Sequence, residues 1–206
     1  MADKRIEKTK VLIKDTFLSL SLTVPAEKIT VKAICDKANI NRGTFYYHYL
    51  DVPDLIEKLG TDAADRLAQA ILKRYDFDGE TSELLEDLFH CLKENPEDAR
   101  LLFGIGSSSA DKGLDHLYKT MRDAAMPHWR AKSNVTDVQL EVIFNHTMHS
   151  IFNLLRLWQS GQVNMEEKEF RELYGNIIIR GIYTYVYNEL PVNDSPHETH
   201  NNTIGE

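Results

Sequence analysis

Two short helical patterns within residues 29–51 constrain the fold of this chain more than any other feature of its sequence. The apolar residues of the first pattern recur at the spacing of one helix face: Val31, Ile34, Cys35 and Ala38. Thr30 is a good residue to cap this helix, and Asn39 tolerates the left-handed conformation that a tight helix exit needs. A second short helix, capped by Asn41, begins at Arg42. Two short helices joined by a tight turn, after a longer helix, predict a helix-turn-helix unit.

Helical periodicity extends over the rest of the chain. One face of the first helix carries Ile6, Ile13, Phe17 and Leu20. That helix ends at Val24-Pro25, because proline lacks the N–H and disfavours helix at the residue before it. A fourth helix begins near Asp51 or Val52, with Pro53 in its first turn. Further helices are predicted over residues 80–94, 96–105, 112–131, 135–160 and 166–189. No segment shows convincing strand alternation, so the sequence predicts an all-α fold.

The predicted breaks divide the chain into two helical domains and a tail. Residues 1–50 form the three-helix N-terminal domain, and residues 51–190 form a helical bundle. Residues 191–206 are polar, with two prolines and a glycine, and are expected to be disordered. Within the bundle, small residues predict a flexible linker over Gly104, Gly106 and Ser107–Ser109. Met126-Pro127 is expected to kink or split the helix that contains it.

The charged residues are distributed unevenly along the chain. The net charge is −8, yet the first fifty residues carry nine Lys/Arg against five Asp/Glu, and the remainder carries 15 against 27. A basic first quarter on an acidic body suggests two parts with different partners, and nucleic acid suits the basic part. An ordinary solvated surface would give the same counts, so charge alone leaves both interpretations open.

Residues 42–48 supply the groups that a helix in the DNA major groove needs. Arg42 can give two parallel hydrogen bonds to a guanine or a phosphate, and Gly43 lets the backbone approach DNA closely. Further short-range donors are Thr44, Tyr46, Tyr47 and His48. At the start of the preceding helix, Thr30 offers a hydroxyl and free backbone amides to a phosphate. Phe45 is expected to face inward and anchor the unit.

Two runs of this sequence, Ile29–Cys35 and Ile40–Asp51, resemble the DNA-binding signature of the TetR family, and Asp54-Leu55 continues it. The resemblance covers about residues 9–57, and the length and helical remainder also fit. It implies DNA contacts at Thr30, Arg42, Gly43, Thr44, Tyr46, Tyr47 and His48; Lys32 is a further candidate. It also implies a C-terminal ligand-binding and dimerisation domain. The expected protein is a ligand-responsive transcription regulator, most simply a repressor, whose partners are a DNA operator, a second copy and an unknown small-molecule effector.

Two positions depart from the family pattern. Members often carry lysine just after the aromatic residue that follows His48 and again at the start of the fourth helix, where this chain has Leu50 and Val52. Loss of both cations lowers the expected phosphate affinity and its salt dependence. Three interpretations remain open: the operator is bound weakly, other lysines (Lys10, Lys28 and Lys32) compensate, or the chain is a coactivator-like interaction module that uses DNA little.

Each of the last two predicted helices carries an apolar stripe, and the last one, residues 166–189, also carries apolar residues on its opposite side. A helix that is apolar on two faces must bury both, one against its own subunit and one against a second copy, unless both are internal core. The pattern alone leaves these alternatives open. The family resemblance implies a homodimer joined by these helices, and the candidate interface residues are Leu154, Trp158, Tyr174 and Ile178.

Aromatic residues of the second domain are candidates for an effector cavity with an apolar wall and a few polar points. The candidates are Phe103, Tyr118, Trp129, His149 and Phe152. Aromatic residues at helical spacing are more often plain core, so each is a single candidate contact rather than a motif. The acidic body favours a neutral or cationic effector over an anion.

No motif supports an enzyme, a metal site or a cofactor. His146 and His149 have a spacing that can bind a metal, but no Cys, Asp or Glu on that helix face completes a site. The serines at 107–109 lack the strand-turn-helix elbow of a nucleophile. We found no apolar run long enough to span a membrane and no apolar signal segment, so a cytoplasmic protein with free thiols at Cys35 and Cys91 is expected.

Overall fold

The computed structural model describes residues 2–75, 81–105 and 108–177, and every regular element in these ranges is helical. The helices are α1 (Ala2–Leu20), α2 (Val31–Ala38), α3 (Arg42–His48), α4 (Val52–Arg74), α5 (Thr81–Glu94), α6 (Pro96–Ala99), α7 (Ser108–Lys132), α8 (Asp137–Gln159) and α9 (Glu167–Ile177). A 3-10 turn precedes α2, and a π-helical turn, Arg100–Gly104, follows α6 directly. The prediction of an all-α fold is confirmed.

Local signals determine where α2 begins and ends. The hydroxyl of Thr30 accepts a hydrogen bond from the Ala33 N–H at 3.2 Å, as expected of a cap. Asn39 adopts the left-handed conformation, with φ of 52°, and ends the helix. Asn41 occupies the cap position of α3, but its side chain makes no capping hydrogen bond; its carbonyl accepts the N–H groups of Thr44 and Phe45 instead.

The first three helices and the start of α4 share one apolar core. Its fully buried members are Ile13, Phe17, Ile34, Phe45 and Leu55. Phe45 is the only wholly buried side chain of α3, and its ring contacts that of Tyr49 at 5.7 Å between centroids. The prediction that Phe45 anchors the helix-turn-helix unit is therefore confirmed. Truncating it to alanine would cost roughly 3–5 kcal/mol.

The turn between α3 and α4 is fixed by a reciprocal pair of side-chain caps. The Asp51 carboxylate accepts the Asp54 N–H, and the Asp54 carboxylate accepts the Leu50 N–H, each at 2.8 Å. Asp51 is therefore the cap of α4, and Pro53 lies in its first turn as predicted. Because α4 is one helix of 23 residues, it connects the helix-turn-helix unit directly to the body of the molecule.

In the body, α4 and α7 pack with their backbones in contact. Gly60 and Gly113 are both buried where the two helices cross, and a Cβ atom on Gly113 would lie 2.8 Å from the carbonyl carbon of Gly60. Such a distance is not reached by real Cβ atoms, so only glycine fits there. The two glycines let α7 lie directly on α4.

Several predicted boundaries in the body were wrong. Ser108 and Ser109 begin α7 and do not belong to a flexible linker. Pro127 does not split its helix, because α7 continues through it to Lys132, and a kink there stays a prediction. A proline removes one backbone hydrogen bond, and burial of the neighbouring Ala125 and Met126 holds the helix together there. Gly106, Ser107 and residues 178–206, which include the predicted tail and the C-terminal part of the helix predicted over 166–189, lie outside the described residues.

Candidate nucleic-acid interface and effector cleft

The side chains of α3 other than Phe45 lie toward solvent. Arg42 and Gly43 are exposed, Tyr46 is about half exposed, and Tyr47 is 72% exposed. Thr44 is half-buried. A Cβ atom on Gly43 would meet nothing within 4 Å, so the backbone at the start of α3 is open to an approaching surface. The helix thus exposes a cationic group and two phenol groups, with the Thr44 hydroxyl half-buried beside them.

The start of α2 adds two exposed groups to this surface. Thr30 is exposed, and its hydroxyl oxygen accepts the Ala33 N–H as the cap of α2. The O–H and the second lone pair of the same hydroxyl can serve an outside partner. The Lys32 ammonium lies 2.8 Å from the Asp36 carboxylate, and both side chains are largely exposed. Such a pair contributes about 0.3–0.5 kcal/mol, so Lys32 can exchange Asp36 for a phosphate at little cost.

His48 closes α3 in a half-buried setting. Its ring contacts that of Tyr47 at 5.0 Å, edge to face. Burial lowers the pKa of His48 below its usual value, and the nearby Lys10 lowers it further. The imidazole of the free protein is therefore neutral at physiological pH, and a phosphate placed beside it would favour its protonated form.

The two positions that depart from the family pattern have opposite environments. Leu50 is 78% exposed, whereas Val52 is buried in the core of the first domain.

Lys58, which lies on α4 one turn after Asp54, is a further cation near this surface that was not singled out from the sequence. Its ammonium lies 3.0 Å from the Asp54 carboxylate and 3.4 Å from the carbonyl oxygen of His48. The i, i+4 spacing of Asp54 and Lys58 was the available sequence signal.

A half-open cleft of about 330 Å³ lies between α7 and α8. Three of the five candidate effector residues line it: Tyr118, His149 and Phe152. Phe103 is fully buried behind Phe152, at 5.8 Å between ring centroids. Trp129 does not line the cleft, because its ring packs against Phe144 at 5.4 Å. The remaining walls include Asp111, Asp115, Asn153 and Arg156, which sequence reasoning did not select.

Two candidate interface residues face the core of their own subunit. The Trp158 ring stacks on Phe170 at 5.8 Å, and its indole N–H donates to the Met165 carbonyl at 2.9 Å. Tyr174 is buried, and its hydroxyl donates to the Thr147 carbonyl at 3.3 Å. Leu154 is half-buried, and Ile178 lies outside the described residues. The large apolar side chains that are exposed on these two helices are instead Val138, Val142, Leu173 and Ile177.

The described part of the chain contains no group of three or more His, Cys, Asp or Glu side chains that could hold a metal ion. Cys35 and Cys91 are both buried and unbridged. Burial raises the pKa of each thiol, so neither is an activated nucleophile. None of the helices in the described ranges is long and apolar enough to cross a membrane.

Comparison with solved structures identifies the fold. A TetR transcriptional regulator from Streptococcus agalactiae superimposes with a TM-score of 0.62 at 23% identity, over 86% of this chain and 97% of that one. The dihydroxyacetone kinase operon activator DhaS gives a TM-score of 0.54 at 21% identity, over 82% of this chain and 92% of its own. A TetR family regulator from Marinobacter aquaeolei gives 0.52 at 15% identity, over 89% and 98%.

No protein-family model and no curated protein matches the sequence. The likeness is therefore one of structure, and it extends over nearly the whole length of the solved proteins rather than over the helix-turn-helix unit alone. By this likeness the chain has the fold of the TetR-type transcription regulators.

Proposed function

We propose that this protein is a DNA-binding transcription regulator that recognises a two-fold symmetric operator as a homodimer. The observation that carries the proposal is the set of exposed side chains on α3, namely Arg42, Tyr46 and Tyr47, on a helix that the buried Phe45 fixes to the core. In a helix-turn-helix protein the second helix enters the major groove, where an N-terminal arginine can read guanine and neighbouring hydroxyls can bind phosphate. Thr30 and Lys32 extend the contact to the adjacent backbone.

Each of the two predicted domains has its own role in this proposal. Residues 1–50 form the DNA-binding domain, and residues 51–190 form the regulatory and dimerisation domain. Leu173 and Ile177 support dimerisation through α9, because they are exposed, apolar and one turn apart. A monomer of this kind would leave an apolar strip in water, and a second copy would cover it. A regulator of this type acts on chromosomal DNA in the cytoplasm and needs no catalytic group.

Contacts between the two domains support control by an effector. The Glu97 carboxylate of α6 binds the Lys14 ammonium of α1 at 2.7 Å. Arg100, the first residue of the π-helical turn after α6, donates to the Ser21 hydroxyl at 2.9 Å. Both partners lie in or just after α1, so α6 and the turn after it form a tether between the body and the DNA-binding domain. We define the pairs Lys14–Glu97 and Ser21–Arg100 as the α1–α6 tether.

The tether is connected to the core of the body. Arg66 of α4 donates two hydrogen bonds to the buried Asp98 carboxylate, at 2.9 and 2.6 Å. Five residues further on, Phe103 contacts Phe152, which lines the cleft. A ligand that displaces Phe152 would therefore shift the π-helical turn and, through the tether, α1. The simplest regulation that this coupling between the cleft and α1 would support is repression that an effector relieves.

Selection from a pool of random DNA duplexes tests the proposal. The full chain is expected to enrich a two-fold symmetric sequence, with half-sites about one helical turn or a multiple of it apart. Arg42→Ala is expected to lose the enrichment, whereas Arg130→Ala, an exposed arginine of the body, keeps it. The proposal is wrong if no sequence is enriched at either low or moderate salt.

A second candidate function is a coactivator-like module whose main partner is another protein. The observation that favours it is Leu50, an apolar side chain that is 78% exposed where related proteins often carry lysine. One of the structures of the same fold is described as an operon activator. Leu50→Lys discriminates: in a DNA-binding regulator it raises operator affinity, since each added phosphate contact does so. In a protein-interaction module it leaves DNA binding weak and abolishes the protein contact.

A further inference from the structure

The α7–α8 cleft offers more hydrogen-bond acceptors than free donors. Nδ1 of His149 lies 2.9 Å from the Asn145 carbonyl oxygen, and a carbonyl only accepts, so Nδ1 carries a proton. In the tautomer with its single proton on Nδ1, the imidazole has its lone pair on Nε2 as an acceptor. Asp115 also lines the cleft and has no hydrogen-bond or ion-pair partner among the described residues. The strongest donor, Arg156, is already engaged by Asp111 at 2.6 Å.

The charges and the aromatic ring that line the cleft also favour a ligand that donates hydrogen bonds. The walls of the cleft contain two carboxylates, Asp111 and Asp115, and one guanidinium, that of Arg156, so they carry an excess negative charge. The Tyr118 ring lines the cleft and lies 5.0 Å from the His149 ring. Burial raises the pKa of Tyr118, so the phenol stays neutral and its ring face can attract a cation. A volume of about 330 Å³ is enough for a small organic molecule.

We propose that the cleft binds a small ligand with an ammonium group, which sits between Asp115 and the Tyr118 ring. An ammonium supplies hydrogen-bond donors for these acceptors and the positive charge that the carboxylates favour. A neutral polyol would gain hydrogen bonds without charge, and an anion would be repelled by both carboxylates. The inference rests on the proposed function for its regulatory meaning, although binding itself can be measured without DNA.

Three ligands with the same four-carbon chain and different charges test the proposal. Calorimetric titration of the full chain at constant ionic strength uses 1,4-diaminobutane, 1,4-butanediol and succinate. Only the diamine is expected to bind measurably. Binding of the diol as tightly as the diamine, binding of succinate alone, or no binding of the diamine would each overturn the proposal.

Two variants locate the site, and one of them is expected to improve binding. Asp115→Asn lowers affinity for the diamine about tenfold, because it removes a charge-assisted hydrogen bond. Asp123→Asn makes the same change on α7 outside the cleft and leaves affinity unchanged. Arg156→Gln releases Asp111 and removes a competing cation, so affinity rises about threefold. A merely damaged fold cannot raise affinity, and a fall in Arg156→Gln would contradict the proposed site.

Separate measurement of DNA binding keeps this inference distinct from the proposed function. A chain that binds DNA but not the diamine retains its proposed function and overturns the ammonium site. Binding of the diamine by a chain that selects no DNA supports the site and contradicts the proposed function. A fall in operator affinity on addition of the diamine to the wild type, absent in Asp115→Asn, supports both.

Discussion

Burial separates the anchoring side chain of α3 from the side chains available to DNA. Phe45 is fully buried and fixes the helix to the core, whereas Arg42, Tyr46 and Tyr47 are exposed. Substitutions of the exposed residues can therefore change recognition with little effect on stability. Base reading and general attraction to phosphate can be distinguished at a single residue.

Arg42→Ala is expected to weaken binding to the selected operator by roughly 1–3 kcal/mol if Arg42 reads a guanine. Binding to scrambled DNA should then change little. If Arg42 contacts only phosphate, both affinities fall together and the salt slope shrinks by about one unit. Titration of wild type and variant with both DNAs at two salt concentrations measures the difference. Unchanged affinity for both DNAs would exclude Arg42 from the interface.

His48 should make DNA binding depend on pH. Its folded-state pKa lies below the usual value of about 6.5. Its contribution to stability is therefore present above pH 6.5 and is lost as the pH falls through that value toward the folded pKa. Phosphate favours the protonated ring, so operator affinity is expected to rise about three- to tenfold from pH 7.5 to 5.5.

The rise should be specific to this side chain, because His48 is the only histidine among residues 1–50. His48→Gln is expected to remove most of the pH dependence, whereas His116→Gln, in the body, should retain it. Fluorescence anisotropy at matched ionic strength measures both. An equal rise in His48→Gln and wild type would show that the proton is taken up elsewhere.

At the scale of elements, capping and backbone conformation could be predicted from the sequence because their causes are local. Thr30 caps α2 and Asn39 ends it through atoms within four residues along the chain. The tether could not be predicted, since Lys14 and Glu97 are 83 residues apart and either could have been an ordinary surface charge. Trp158 illustrates a second limit: an apolar stripe predicts burial, but not whether its own subunit or a partner provides it.

Two glycines with opposite surroundings, Gly113 at the crossing of α4 and α7 and Gly43 on the open side of α3, test the packing of the helices. Gly113→Ala forces a Cβ atom against the backbone of Gly60, and it is expected to destabilise the protein by about 1–3 kcal/mol. Gly43→Ala meets no neighbouring atom, and the better helix propensity of alanine should stabilise α3 by roughly 0.5–1 kcal/mol. Urea unfolding of both variants measures these free energies. Stabilisation by both would mean that α4 and α7 are not in backbone contact.

At the scale of the whole molecule, the α1–α6 tether should matter more for coupling than for stability. Its ion pair is partly exposed, so its loss costs at most about 1 kcal/mol. The double variant Glu97→Gln/Arg100→Gln is expected to lower hydrogen-exchange protection of the α1 amides about threefold, because α1 then opens without α6. Arg130→Gln breaks a comparable pair with Asp137 away from α1 and serves as the control. Equal protection of α1 in all three proteins would show that the tether does not couple the domains.

Dimerisation is best tested at residues that the subunit core does not use. Trp158→Arg would remove a ring that packs on Phe170, and a folding defect would then be indistinguishable from a loss of association. Leu173 and Ile177 are 52% and 57% exposed, so Leu173→Arg or Ile177→Arg spares the core. A charge buried in an interface without a partner costs several kcal/mol, which a marginal dimer cannot absorb.

We therefore expect wild type to scatter light as a dimer and each α9 variant as a monomer with a mass near 23.7 kDa. Leu22→Arg introduces the same charge at an exposed apolar residue of the DNA-binding domain and should remain dimeric. The monomeric variants should also lose operator affinity, because one recognition helix at a time reads only a half-site. If both α9 variants remain dimeric, the interface lies elsewhere on the molecule. A monomeric wild type that still selects a two-fold symmetric operator would mean that the second copy is recruited by DNA rather than by α9.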